Sequence, residues 1–286
     1  MKDTASAPLF DTVCVVGLGL IGGSLALDMR ERGLARSVVG RDADEGFLAT
    51  AVERGIIDRG LSPSTAGMGG CDLVVLAVPV LTIIEMLEEG FEPGTLVTDV
   101  GSVKGPLVEA FRRCRERGGE YRYVPGHPIA GDEKSGPTAA RTGLFEGARV
   151  ILTPVERGDD EEKISSLWTG VGSHVDFMDP LEHDAIFAWV SHLPHLAAYS
   201  IVHAVLDKDP GWISLSGGGL KDYTRVAASS PRMWADIALA NREFLLEALR
   251  GYRHSVDRIY EAIASSDRDG LEDLFAGIAS VRRGMR

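Results

Sequence analysis

His127 stands between two prolines, in a stretch that runs from Val124 to Gly136 and reads VPGHPIAGDEKSG. Those prolines and the three glycines around them argue against a regular helix or strand, so a loop is expected. An imidazole there suits proton transfer, because its ordinary pKa lies close to working pH. The plainer alternative is a loop histidine held by backbone hydrogen bonds. Further along, SHLPH carries His192 and His195 three residues apart, a spacing that puts both on one helix face. HxxH can hold a metal, but no third ligand is evident, and core or interface histidines are the commoner explanation.

A second chemistry is written in VVGLGLIGGSLA, where Gly17, Gly19 and Gly22 form GxGxxG between a candidate strand and a candidate helix. The first glycine permits a tight turn and the second lets a pyrophosphate approach the backbone. The third allows helix and strand to pack closely, and Leu20 and Ile21 open the helix whose N-terminus faces the phosphates. Twenty residues after Gly22, Asp42 ends the next strand and is placed to accept hydrogen bonds from an adenosine ribose. A carboxylate there favours NAD over NADP, although Arg41 beside it could pair with a 2′-phosphate. Later loops complete the site: Val78, Pro79 and Val80 near a ribose, and Ser102 near the nicotinamide. Ser102 reads equally as an N-cap for a helix that starts near Lys104.

These residues need a scaffold. Short β-branched runs at 12–17, 37–42, 72–78, 95–100, 122–126 and 148–154 alternate with helical stretches near 20–32, 44–54, 80–89 and 104–117. That is the pattern of βαβ units around a parallel sheet. One more helix near 161–171 and a strand at 174–179 finish this part. From Pro180 onward strand signals stop and apolar spacing becomes three and four, with helices expected at 181–206, 222–250, 252–265 and 269–283. The fold class expected is thus an α/β Rossmann-like doubly wound domain over 1–179, followed by an all-α domain over 180–286.

The net charge of −12 is spread along the chain, which argues against nucleic acid as a partner. Cys14, Cys71 and Cys114 are odd in number and widely spaced, so neither a disulfide framework nor a zinc site is expected. The apolar run at 13–29 is broken by four glycines and preceded by Asp3 and Asp11. It therefore reads neither as a signal peptide nor as a membrane span, and a cytoplasmic location is expected.

Taken in order, GLGLIGGSLA, DVGSVKG, GHPIAGDEKSG, LFEGARVILTP, DPLEHD, SHLPH and KDYTRVAASSPRMW make the chain closely resemble the prephenate/arogenate dehydrogenase family of tyrosine biosynthesis. The resemblance implies an oxidative decarboxylation, in which hydride leaves the ring carbon that bears the 4-hydroxyl for NAD while the ring carboxylate departs as carbon dioxide. From prephenate the product is 4-hydroxyphenylpyruvate. The resemblance also assigns roles: His127 takes the hydroxyl proton, Ser102 orients His127 and the substrate hydroxyl, and Glu133 gates or orders the substrate side chain. Arg225 pairs with a substrate carboxylate, and His195 and His192 bind substrate. A homodimer through the helical half is implied as well.

His183 is expected to be structural or to lie between domains, and Lys104, Lys134 and Lys221 are expected to face solvent. Asp132 stands where the family often has threonine; aimed inward, it would favour the ammonium of arogenate over the ketone of prephenate. Arogenate or dual specificity is therefore the alternative, with a 4-amino-4-deoxyprephenate enzyme and a non-catalytic NAD-binding sensor further off.

Overall fold

The computed structural model describes residues 7–61, 68, 70–132 and 134–285. Six parallel strands form the main sheet: β1 (Phe10–Val16), β2 (Ala35–Arg41), β3 (Arg59–Gly60), β4 (Leu73–Leu76), β5 (Leu96–Asp99) and β6 (Arg122–Val124). Their order is β3-β2-β1-β4-β5-β6, the doubly wound arrangement. The order reverses between β1 and β4, and ligands of such sheets bind at the carboxyl ends of the strands there.

Alternation within each strand sends side chains to two separate cores. Val13 and Val15 of β1, with Leu73 and Val75 of β4, pack on α1 (Leu20–Glu31) and α5 (Asp159–Gly170). Cys14, Val16, Val74 and Leu76 face the opposite way, onto α3 (Val80–Glu89) and α4 (Gly105–Glu116). Burial on both faces explains why these strands read as continuous apolar runs. Each fully enclosed valine or leucine contributes about 1.5–3 kcal/mol. The short helix α2 (Glu45–Glu53) begins at Asp44, whose carboxylate accepts from Gly46 N and Phe47 N at 2.8 and 3.1 Å.

A second sheet corrects the loop expected around His127. β7 (Gly126–Ile129) pairs antiparallel with β8 (Arg149–Leu152), which pairs in parallel with β9 (His174–Phe177). Proline survives here because β7 is an edge strand, so the N–H that Pro128 lacks costs no ladder bond on its open side.

From α6 (Pro180–Phe187) onward the chain is helical. Asp179 caps this helix, accepting from Leu181 N at 2.8 Å and Glu182 N at 3.2 Å, while Pro180 occupies the first helical position. The helix runs through a single wide π-turn, Ala188–His192, into α7 (Leu193–Lys208). The long helix expected at 222–250 is instead three pieces. They are α8 (Gly218–Thr224) with a short 3-10 turn at Arg225–Ala228, α9 (Pro231–Ala240), and the start of α10 (Arg242–Ala264). Ser230 followed by Pro231 forces the break, since a proline cannot continue a helix across it while serine caps the next one at Met233 N. The last helix is α11 (Arg268–Gly284).

Candidate active site

At the carboxyl end of β1 each glycine does what its position demands. Gly17 has φ of +93°, and a β-carbon there would lie 2.3 Å from the carbonyl oxygen of Ala77, in the segment after β4. One on Gly22 would lie 2.0 Å from the oxygen of Gly17, so helix, turn and strand are pressed together. Around Gly19 there is no atom within 4 Å of the same construction, and as N-cap of α1 it offers no side chain to the first helical N–H groups. Those groups, on Leu20, Ile21 and Gly22, are the donors that a helix N-terminus presents to phosphate. Asp42, just past β2, accepts from Leu18 N at 2.8 Å and from Asp44 N at 2.9 Å, which fixes its carboxylate beside the turn. Val78 and the exposed Pro79, which leads into α3, form the facing wall. The crevice thus fits a dinucleotide.

His127 lies on β7, opposite Ile151 and only 7% exposed. Its Nδ1 is 2.8 Å from Nε2 of His183, and Nδ1 of His183 is 2.8 Å from Oδ1 of Asp184. Phe187, one turn beyond His183, stacks on it at 4.4 Å between ring centroids and covers His127 at 4.9 Å. Burial first, then the neighbouring His183, Lys104 and His192, hold His127 well below the usual histidine range. Burial lowers His183 too, opposed by its bond to Asp184. Both rings are neutral at pH 7. His183 therefore joins the reactive histidine and is more than a structural residue.

Asp184 also accepts from Lys104 N and Gly105 N, each at 2.7 Å, so it caps α4 from another helix. Ser102 does not serve as that cap, and no hydrogen bond joins it to His127 among the described residues. Lys104, expected at the surface, is fully buried: its ammonium donates to Asp99 and, at 2.6 Å, to the carbonyl of Gly126, next to His127. Burial lowers its pKa and the Asp99 carboxylate opposes that. Tyr123 Oη and Gly101 N, both at 2.6 Å, and Gly126 N at 3.4 Å complete the shell of Asp99.

The two histidines of SHLPH meet the same indole, with His195 stacked on Trp234 at 3.7 Å and His192 edge-on at 6.1 Å. His192, 1% exposed, is too enclosed for the substrate contact expected of it. Its Nδ1 sits 3.1 Å from the amide of Asn241, and its Nε2 faces the carbonyl of Ser102 without reaching hydrogen-bond geometry. His195 is half-buried, and its Nδ1–H donates to Ser191 O at 3.0 Å, so Nε2 is the nitrogen left for a ligand. Burial lowers its pKa, and the exposed Arg225 is close enough to lower it further. Arg225 and His195 are thus brought together. Asp132 is paired with Arg141 at 3.2 Å. Lys134 and Lys221 are exposed as expected, and Glu133 lies outside the described residues.

Sequence reasoning missed Asp99, Asp184 and the role of Lys104. The signals available were local only: an aspartate before the glycine turn in TDVGSVKG, and the His-Asp pair that closes DPLEHD.

A doubly wound sheet with a glycine turn at its switch point, an acidic residue after β2 and a buried neutral histidine nearby define a Rossmann-type oxidoreductase. Two family models match the chain: prephenate dehydrogenase, nucleotide-binding domain, over residues 25–177, and prephenate dehydrogenase, dimerization domain, over 179–277. The chain belongs to the prephenate dehydrogenase family. It is 35% identical to a prephenate dehydrogenase of Bacillus subtilis, covering 96% of this chain and 76% of that one. It is 30% identical to a cyclohexadienyl dehydrogenase of Zymomonas mobilis, covering 97% of each. Among solved structures, prephenate dehydrogenase from Aquifex aeolicus, in complex with hydroxyphenyl propionate and NAD+, superposes with a TM-score of 0.88 at 35% identity, over 96% of this chain and 98% of that one.

Proposed function

We propose that this protein catalyses the NAD-dependent oxidative decarboxylation of prephenate to 4-hydroxyphenylpyruvate, a step of tyrosine biosynthesis. One observation carries the reading: in a chain of this family, a buried and neutral His127 stands beside a dinucleotide crevice built by Gly17, Gly19, Gly22 and Asp42. NAD, when bound, supplies the hydride acceptor. The protein holds it by the N–H groups of Leu20 to Gly22, by Asp42 toward the ribose, and by Val78, Pro79 and the Ser102 loop around the rest.

His127 takes the proton of the 4-hydroxyl, a role that needs the neutral ring which burial enforces. Ser102 stands at the substrate hydroxyl, and Glu133 orders the substrate side chain. Arg225 receives a carboxylate through paired N–H donors. His195 has its Nδ1–H committed to Ser191, so it binds a carboxylate only once Nε2 is protonated and otherwise accepts from a donor. Arg141 engages Asp132 in a partly exposed pair, which weakens the pull of that carboxylate on an ammonium substrate.

The assembly we infer is a homodimer in the cytoplasm, with the division between domains at Asp179. Apolar side chains at Val256, Tyr260 and Ile263 of α10 and at Phe275, Ile278 and Val281 of α11 are exposed at helical spacing. Unpartnered stripes of this kind mark interfaces. Among the described residues one helical run, Pro180–Lys208, has the length and apolar composition of a membrane span. Its Trp189, however, packs on Gly251 of α10, and with a third of the apolar window buried in the single chain the run joins the inferred interface.

Initial rates of nicotinamide reduction with prephenate and with arogenate, each with NAD and with NADP, test the reading. NADH formation from prephenate is expected. Reduction with arogenate alone would replace the substrate, and none in all four would overturn the assignment.

A further inference from the structure

We propose that Asp184, acting through His183, holds His127 in the tautomer with its proton on Nδ1, so that Nε2 carries the lone pair that removes the substrate's hydroxyl proton. The inference rests on the assignment of His127 as the base and deepens it by naming two positioning residues.

Hydrogen-bond polarity runs in one direction along this chain of groups. Asp184 receives two backbone N–H donors, Lys104 N on Oδ1 and Gly105 N on Oδ2, at 2.7 Å each. Its second contact on Oδ1 is Nδ1 of His183 at 2.8 Å. A carboxylate that already accepts on both oxygens, at a helix N-terminus, is ionised and can only accept, so Nδ1 of His183 must carry hydrogen. His183 is fully buried and neutral, hence its Nε2 is bare. That bare nitrogen lies 2.8 Å from Nδ1 of His127, which must then be the N–H donor. The one nitrogen of His127 left without hydrogen is Nε2, and it makes no hydrogen bond among the described residues.

In the reaction the O–H bond of the substrate breaks and an N–H bond forms at Nε2. The imidazolium so produced keeps its Nδ1–H on His183, and the positive charge lies two hydrogen bonds from the Asp184 carboxylate. Proton count and charge are conserved, with no further reactant. Phe187 restrains both rings from the side, so the relay is held by packing as well as by polarity.

Nitrogen-15 spectra of the histidine-labelled, NAD-bound protein read the tautomer directly. In the wild type the bare nitrogen of His127 should be Nε2. Asp184→Ala removes the acceptor that fixes the proton of His183 on Nδ1, so the bare nitrogen of His127 should no longer be held at Nε2 and the form bare at Nδ1 should appear. With it kcat should fall on the order of a hundredfold, as for other triads that lose control of the tautomer, while KM changes a few-fold at most. His183→Leu should release the tautomer, and His183→Gln, whose amide oxygen can accept from Nδ1–H, should recover part of the lost turnover. An unchanged His127 signal and near wild-type kcat in Asp184→Ala would overturn the relay; if that variant does not fold, the same result in His183→Leu would do so. His127→Asn separates the two ideas. Collapse of its turnover beside active relay variants rejects the relay alone, whereas normal turnover in His127→Asn rejects the base itself.

Discussion

Lys104 and Asp99 form an ion pair in which neither side chain reaches solvent. The pair closes the floor beneath β7, because the same ammonium also donates to the carbonyl of Gly126. Two charges enclosed in this way are costly to desolvate and are repaid by mutual attraction and by the hydrogen bonds of Tyr123 and Gly101. Lys104→Met should therefore leave a buried carboxylate one partner short, with a stability loss of about 3–5 kcal/mol. Urea unfolding measures it, and a loss below about 1 kcal/mol would show that Tyr123 and Gly101 suffice for Asp99.

Acid should destabilise the fold through its enclosed imidazoles. His192 titrates near 4 when folded, mainly because of burial, against an ordinary value of 6.5. A group whose folded pKa is depressed leaves stability intact above the unfolded value. As pH falls the unfolded chain takes up the proton first, so stability declines from about pH 6.5 down to about pH 4. His192 alone accounts for on the order of 3 kcal/mol over that window, and His127 and His183 act in the same direction. Unfolding midpoints in urea at intervals between pH 7.5 and 4.5 should fall steadily. His192→Asn, if it folds, should flatten that slope.

Gly22→Val should abolish dinucleotide binding. Even the first added carbon would sit 2.0 Å from the oxygen of Gly17 and 2.8 Å from the β-carbon of Ala77, with backbone on one side. Calorimetric titration with NADH checks this. By contrast, Asp42→Ala should retain binding with a loss of about 1.5–3 kcal/mol, the worth of hydrogen bonds to a charged group.

Placing charge on the exposed stripe of α10 should dissociate the dimer. Ile263→Asp, at a side chain 61% exposed in the single chain, should give a monomer by sedimentation velocity if that stripe is the interface. A dimer unchanged in affinity would move the interface elsewhere.

Much of this architecture could be read from short-range patterns. Buried strands announce themselves as runs such as LVVL at Leu73–Leu76, and Asp179-Pro180 spells a helix start in two letters. What escaped notice was non-local or atypical. β7 was hidden by Pro128, which only an edge position tolerates, and β3 is two residues long. The contact between Asp184 and the backbone of Lys104 spans 80 residues, so no local spacing could suggest it. A lysine such as Lys104 looks like any surface lysine until the carboxylate that receives it is known. His127 was recognisable as reactive, but its partner was not, because two rings meeting from different domains leave no mark in either stretch.

The wide turn at Ala188–His192 has a consequence for chain length. It contains one residue more than an α-helix of the same span, with Leu193 N reaching back to Ala188 O. Deleting that extra residue would close the turn to an ordinary α-helix and leave the stretches on either side nearly in phase. His183 would still meet His127 and His195 would still face Trp234, each on its own side of the turn. The helix thus carries one residue to spare between proton handling on one side and ligand binding on the other.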